Sequence, residues 1–135
     1  MAAEIDLNMR ILVVDDSATM RRIVVSALRE CGFKNIVTAD DGKTAWPHIE
    51  AGSIELVLSD QKMPGMDGLE LLQMVRENEK FKELPFIMIT AEAYKENVME
   101  AVKLGVSNYI VKPFNTNQLI AKIVKVLGAS LPAES

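Results

Sequence analysis

Five short apolar runs alternate with amphipathic segments of helical spacing, and this alternation constrains the fold more than any other feature. The runs are Arg10–Val14 (RILVV), Asn35–Ala39 (NIVTA), Glu55–Ser59 (ELVLS), Pro85–Ile89 (PFIMI) and Ser107–Val111 (SNYIV). Most are apolar throughout instead of alternating apolar with polar. Strands of that kind are buried on both faces, which calls for a parallel sheet covered by helices.

The intervening segments supply those helices. In Ser17–Cys31, the residues Met20, Ile23, Val24, Ala27 and Leu28 fall on one stripe, and Gly32 provides the stop. Asp67–Gly68–Leu69–Glu70 reads as a capping box opening a helix with Leu71, Leu72, Met74 and Val75. A further helix is expected from about Glu92 to Leu104, ending at Gly105. The last opens near Asn115 and carries Leu119, Ile120, Ile123 and Leu127. The segment Gly42–Ala51 contains Pro47, so its helix is expected to be short or kinked there. The order is (βα) five times, and right-handed crossovers turn that order into a doubly wound α/β fold.

Bulk properties narrow the function. A length of 135 residues fits one domain with its own core. A net charge of -4 argues against a nucleic-acid partner. The one cysteine, Cys31, excludes an internal disulfide and reads as a small hydrophobe. The one histidine, His48, lacks the partners of a soft-metal site and suits a surface or packing role. The first eight residues lack a signal-peptide pattern, and no apolar stretch is long enough to span a bilayer. The expected location is the cytoplasm, with no membrane partner.

Sites in open parallel sheets form beyond the carboxyl ends of the strands. Here those ends carry Asp15–Asp16, Asp60, Thr90 and Lys112–Pro113. Taken singly, each has an ordinary explanation: an acidic pair or a threonine as a helix cap, a lysine on the surface, Lys-Pro as a turn. Together at successive strand ends they form a set. Three close carboxylates repel one another, and a hard divalent cation relieves the repulsion. Few oxygen ligands with room for water and phosphate favour Mg²⁺. One carboxylate then serves as nucleophile, while the lysine and the threonine hydroxyl stabilise the transferring phosphoryl group.

These residues, with Ile11–Ile23 (ILVVDDSATMRRI), Met63–Leu72 (MPGMDGLELL), Thr90–Val98 (TAEAYKENV) and Asn108–Phe114 (NYIVKPF), resemble the response-regulator receiver family, most closely its chemotaxis members. The resemblance covers residues 9–128, leaving an extension, 1–8, and a tail, 129–135. It implies a flavodoxin-like sheet of order 2-1-3-4-5. It implies that Asp60 is the phosphoacceptor, that Asp15, Asp16 and Asp60 hold Mg²⁺ with the main-chain carbonyl of Lys62, and that Thr90 and Lys112 contact the phosphoryl group. Tyr109 would move inward on activation, and Lys112–Pro113 would be a cis peptide. The donor would be a histidine kinase and the target a flagellar motor switch protein, with a phosphatase as a further partner. A monomer without separate substrate turnover is expected.

Lys95, Lys103, Tyr109, Lys122 and Lys125 lie on or near the face of the fourth helix, fifth strand and fifth helix. They either meet an acidic partner or simply solvate exposed helix faces. Too few residues follow Leu127 for a DNA-binding module, so output is expected through protein contact. A receiver that drains the kinase as a phosphate sink fits the sequence as well as one that binds the motor.

Close chemotaxis relatives commonly carry Trp and Asn after the phosphoacceptor; this chain has Gln61 and Lys62. Lys62 either pairs with Glu92 and shields the phosphate from water, or forms a mobile surface pair worth under about 1 kcal/mol. An unchanged decay rate of the phosphorylated form in Lys62→Asn would exclude the first reading. Other classes fit less well. A small-molecule phosphatase of the haloacid-dehalogenase type needs Asp-x-Asp after the first strand, where this chain has Asp15–Asp16–Ser17. No glycine-rich nucleotide loop is present, and the acidic first loop would repel the phosphate of FMN.

Overall fold

The computed structural model describes residues 4–91 and 95–128, with the side chains of 95–97 left aside. The strands are β1 (Arg10–Val14), β2 (Asn35–Ala39), β3 (Leu56–Asp60), β4 (Phe86–Thr90) and β5 (Asn108–Val111). The helices are α1 (Ala18–Glu30), α2 (Gly42–Glu50), α3 (Gly68–Glu77), α4 (Lys95–Lys103) and α5 (Thr116–Leu127). All strand pairs are parallel, in the order β2-β1-β3-β4-β5.

Alternate side chains of each strand enter different layers. Ile11 and Val13 of β1, with Leu56 and Leu58 of β3, join Val24 and Leu28 of α1 and Leu119 and Ile123 of α5. Leu12, Val14 and Val57 join Ala45 and Ile49 of α2, Leu71, Leu72 and Val75 of α3, and Ala101 of α4. Two-faced burial is why the strands read as continuous apolar runs. Ile5 and Met9, ahead of β1, are also buried in the first of these layers.

Side chains written in the sequence start the helices. Ser17 Oγ accepts the Met20 N–H, and reciprocal capping boxes open α2 (Asp41–Thr44), α3 (Asp67–Glu70) and α5 (Asn115–Gln118). After α1, Gly32 adopts φ +102°, a conformation that costs glycine little.

Four expectations need correction. β3 and β4 each begin and end one residue later than the apolar runs, so Asp60 and Thr90 are the last residues of their strands. Pro85 has no N–H for the ladder and contributes only its carbonyl, to Val57. Ser107 stands outside β5, where its hydroxyl accepts the Phe86 N–H. Ile23 is 48% exposed, not part of the α1 core stripe. The helix buries Val24, Ala27 and Leu28, which turns Ile23 toward a surface groove it shares with Phe114.

α2 is short, at nine residues, but it runs through Pro47. Pro47 and Lys43 are both exposed, so water can satisfy the carbonyl that the proline leaves without a donor.

Candidate phosphoacceptor site

Strand register assembles the site. Val14 pairs with Ser59, which sets Asp15 beside Asp60 where β1 meets β3. The chain crosses to opposite sides of β1 at this point, through β2 and β3, and such switch points open a crevice at the strand ends. Asp60 pairs with Ile89, so Thr90 lies one step beyond it; Thr90 pairs with Val111, so Lys112 follows. The Lys112 N–H donates to the Thr90 carbonyl at 2.7 Å. The Lys112–Pro113 peptide is cis, as expected.

The side chains converge. Carboxylate oxygens of Asp15, Asp16 and Asp60 lie within 4.8 Å of one another. Lys112 Nζ stands 3.3 Å from Asp15 Oδ2 and 3.4 Å from Asp60 Oδ1. Asp15 and Asp60 are buried, at 2% and 6% exposure, whereas Asp16 is exposed. Asp15 is further oriented by the Ser17 N–H, 2.8 Å from its Oδ1, and its carbonyl accepts from Arg21 Nη1. Burial and then the charge of Asp15 push the Asp60 carboxyl above the usual carboxylate range, against the Lys112 ammonium and the Gln61 N–H, which hold it down.

This donor set fits a small hard cation. It offers carboxylate oxygens only, leaves the exposed Asp16 side open to water, and contains no sulfur or imidazole. Asp15, Asp16 and Asp60 are the residues that would hold Mg²⁺. Lys62 is exposed on the loop that follows. Glu92, its expected partner, lies outside the described residues.

A profile of the response regulator receiver domain matches residues 11–124. The chain belongs to the response regulator receiver family. Among curated proteins, this receiver is 49% identical to the chemotaxis protein CheY-3 of Vibrio cholerae over 126 residues, 93% of the chain and 97% of that protein. It is 48% identical to the chemotaxis protein CheY of Pseudomonas aeruginosa over 118 residues, 87% and 95% of the two chains. Among solved structures, the response regulator CheY4 of Vibrio cholerae superposes with a TM-score of 0.81 at 32% identity, covering 88% of this chain and 98% of that one. A response regulator from Chloroflexus aurantiacus gives 0.84 at 28% identity, covering 89% and 98%. Receivers of this kind are regulators of two-component signalling, not enzymes that turn over a separate substrate.

Thr90 and Tyr109 line one small cavity with Gln61, Leu69, Met88, Val98 and Ala101. Its volume of about 10 Å³ is barely that of one water and far too small for a phenol ring. Tyr109 is half-buried, and Lys122 Nζ lies 5.4 Å from the centre of its ring and 3.3 Å from Asn108 Oδ1. Lys122 is thus packed on the receiver surface, unlike the exposed Lys103 and Lys125. The side chain of Lys95 is outside the described set. Among the described residues, no helix is long and apolar enough to cross a membrane.

The sequence did not single out Gly68, Gln61 as a structural contact, or Arg76. A Cβ on Gly68 would stand 2.5 Å from the Asp60 carbonyl oxygen and 2.7 Å from Met88 Sδ. The only local signal was a glycine at the first position of a helix. Arg76 donates to the carbonyls of Gly105 (2.8 Å) and Leu84 (2.7 Å), and no sequence signal marks it.

Proposed function

We propose that this receiver accepts a phosphoryl group on Asp60 from a phosphohistidine of a chemotaxis histidine kinase and passes the signal by protein contact. The observation that carries the reading is the ammonium of Lys112 bridging the buried Asp15 and Asp60, with Asp16 completing the acidic cluster. An Asp60 carboxylate oxygen attacks phosphorus, an O–P bond forms, the N–P bond to the donor histidine breaks, and the imidazole leaves with the electron pair. Bound Mg²⁺ supplies charge neutralisation for the phosphoryl oxygens. Lys112 adds a second positive charge to the same site, and the Thr90 hydroxyl donates to a phosphoryl oxygen.

The new charge of about −1.5 to −2 draws Thr90 toward the phosphoryl group. That enlarges the cavity Thr90 shares with Tyr109, and the ring moves in. A pre-existing equilibrium shifts on the face formed by α4, β5 and α5, which carries Lys95, Lys103, Lys122 and Lys125. The CheY relatives support a flagellar motor switch protein as the target, in the cytoplasm.

The test is intact mass after incubation with acetyl phosphate, with and without Mg²⁺, for the wild type and Asp60→Asn. One Mg²⁺-dependent phosphoryl adduct, absent from the variant, is expected. No adduct under conditions where Mg²⁺ binds would overturn the reading. Binding of a motor-switch peptide that strengthens on phosphorylation is the test of the target; unchanged binding would favour a phosphate sink.

A further inference from the structure

Gln61 ties the two ends of the β3–α3 loop together. Its side-chain Oε1 accepts the Leu69 N–H at 2.8 Å, and its carbonyl accepts the Gly68 N–H at 3.0 Å. Its own N–H lies 3.0 Å from both the Ile89 carbonyl and Asp60 Oδ1. One residue therefore touches the carboxylate of Asp60, the adjoining strand and the first turn of α3.

The two bonds to α3 are of different kinds. First-turn N–H groups of a helix have no partner within the helix. The cap residue of α3, Asp67, takes the Glu70 N–H. The Leu69 N–H is met instead by an acceptor just past the end of β3, eight residues before it in the chain. The contact is tight, because Gly68 leaves no room for a Cβ against the Asp60 carbonyl. The loop closed in this way begins with Lys62.

We propose that the Gln61 side chain is a positioning residue for the divalent cation: its clasp on Leu69 fixes the residue whose N–H lies 3.0 Å from Asp60 Oδ1, and so holds the Asp60 carboxylate in place as an oxygen donor beside Asp15 and Asp16. The inference rests on the Mg²⁺ reading given under Proposed function. Mg²⁺ demands near-ideal octahedral geometry, so a donor held in advance binds without an ordering cost. With Gln61 released from α3, the carboxylate has to be ordered when the cation arrives, and affinity falls.

The experiment compares the wild type, Gln61→Leu and Gln61→Asn. The first variant keeps bulk without an acceptor; the second keeps the amide but falls one methylene short of Leu69. Mg²⁺ binding is measured by calorimetry, Leu69 amide exchange by NMR, and acetyl phosphate labelling as a function of Mg²⁺. Expected in both variants are faster Leu69 exchange and Mg²⁺ binding weaker by about five-fold, the scale of one net hydrogen bond. The Mg²⁺ concentration for half-maximal labelling rises more than the maximal rate falls.

Mg²⁺ affinity within two-fold of wild type, with Leu69 exchange accelerated, would overturn the clasp and leave the phosphoacceptor reading standing. A lower maximal rate at unchanged Mg²⁺ dependence would do the same, since it marks a merely structural role. A wild type that binds no Mg²⁺ would overturn both. Should Gln61→Leu fail to fold, Gln61→Asn alone decides.

Discussion

Lys112 Nζ reaches Asp60 Oδ1 at 3.4 Å from just beyond the end of β5, two strands away from the end of β3. The same ammonium is 3.3 Å from Asp15. It therefore occupies the carboxylates as a cation would, and it competes with any divalent ion that binds them.

That competition gives Lys112→Met two opposite effects. Mg²⁺ binding tightens by up to about five-fold, on the scale of a partly solvated ion pair. Labelling by acetyl phosphate at saturating Mg²⁺ slows by about a hundred-fold, because a group that stabilises the transferring phosphoryl is gone. Calorimetry and single-turnover mass measurements check the two arms separately.

Asp60 makes the apo protein less stable at neutral pH than a neutral residue would. Its carboxyl is raised above the unfolded value by burial and by Asp15. The folded state thus binds the proton more readily, so the cost of ionising Asp60 is present at pH 7. It is lost as pH falls through the folded pKa and is absent below the unfolded one. Asp60→Asn is expected to raise Tm by a few degrees at pH 7 without Mg²⁺. The gain shrinks toward about pH 4, near the unfolded carboxylate value. Thermal unfolding of both proteins across that range tests the sign.

Gly68→Ala places a methyl group against the Asp60 carbonyl and Met88 Sδ at distances that require a shift. Overpacking of this kind costs about 1–3 kcal/mol. Urea unfolding measures the loss. Labelling of Asp60 is expected to slow as well, since relief of the clash moves the end of β3 or the start of α3.

Arg76→Met removes donors to Gly105 and Leu84 and a longer contact, 3.4 Å, to Ser107 Oγ. The guanidinium joins α3 to the turn after α4 and to the approach to β4. The expected destabilisation is about 1–3 kcal/mol, the scale of bonds to a charged group. Faster amide exchange at the α4–β5 turn, with Asp60 labelling retained, is the accompanying signature.

What the sequence determined by itself is local or periodic. Apolar runs with helical segments between them specify the α/β alternation, because burial on both faces must be written into each strand. Side chains at fixed offsets specify the helix starts at Ser17, Asp67 and Asn115, because a cap reaches only its own first turn. Asp15, Asp16, Asp60, Thr90 and Lys112 were legible because position along each strand states which end of the sheet a residue occupies. Only the tertiary structure decided what depends on distance between elements. Ile23 lies on an apolar helical stripe, yet the placement of α1 beside α5 leaves it exposed. Gln61 looks like an ordinary polar loop residue until α3 brings the Leu69 N–H within reach. Gly68 and Arg76 acquire their roles from a strand end and a turn that the chain supplies far from them in sequence or in register. Periodicity fixes which face a side chain takes, but the packing of one element on another fixes what that side chain meets.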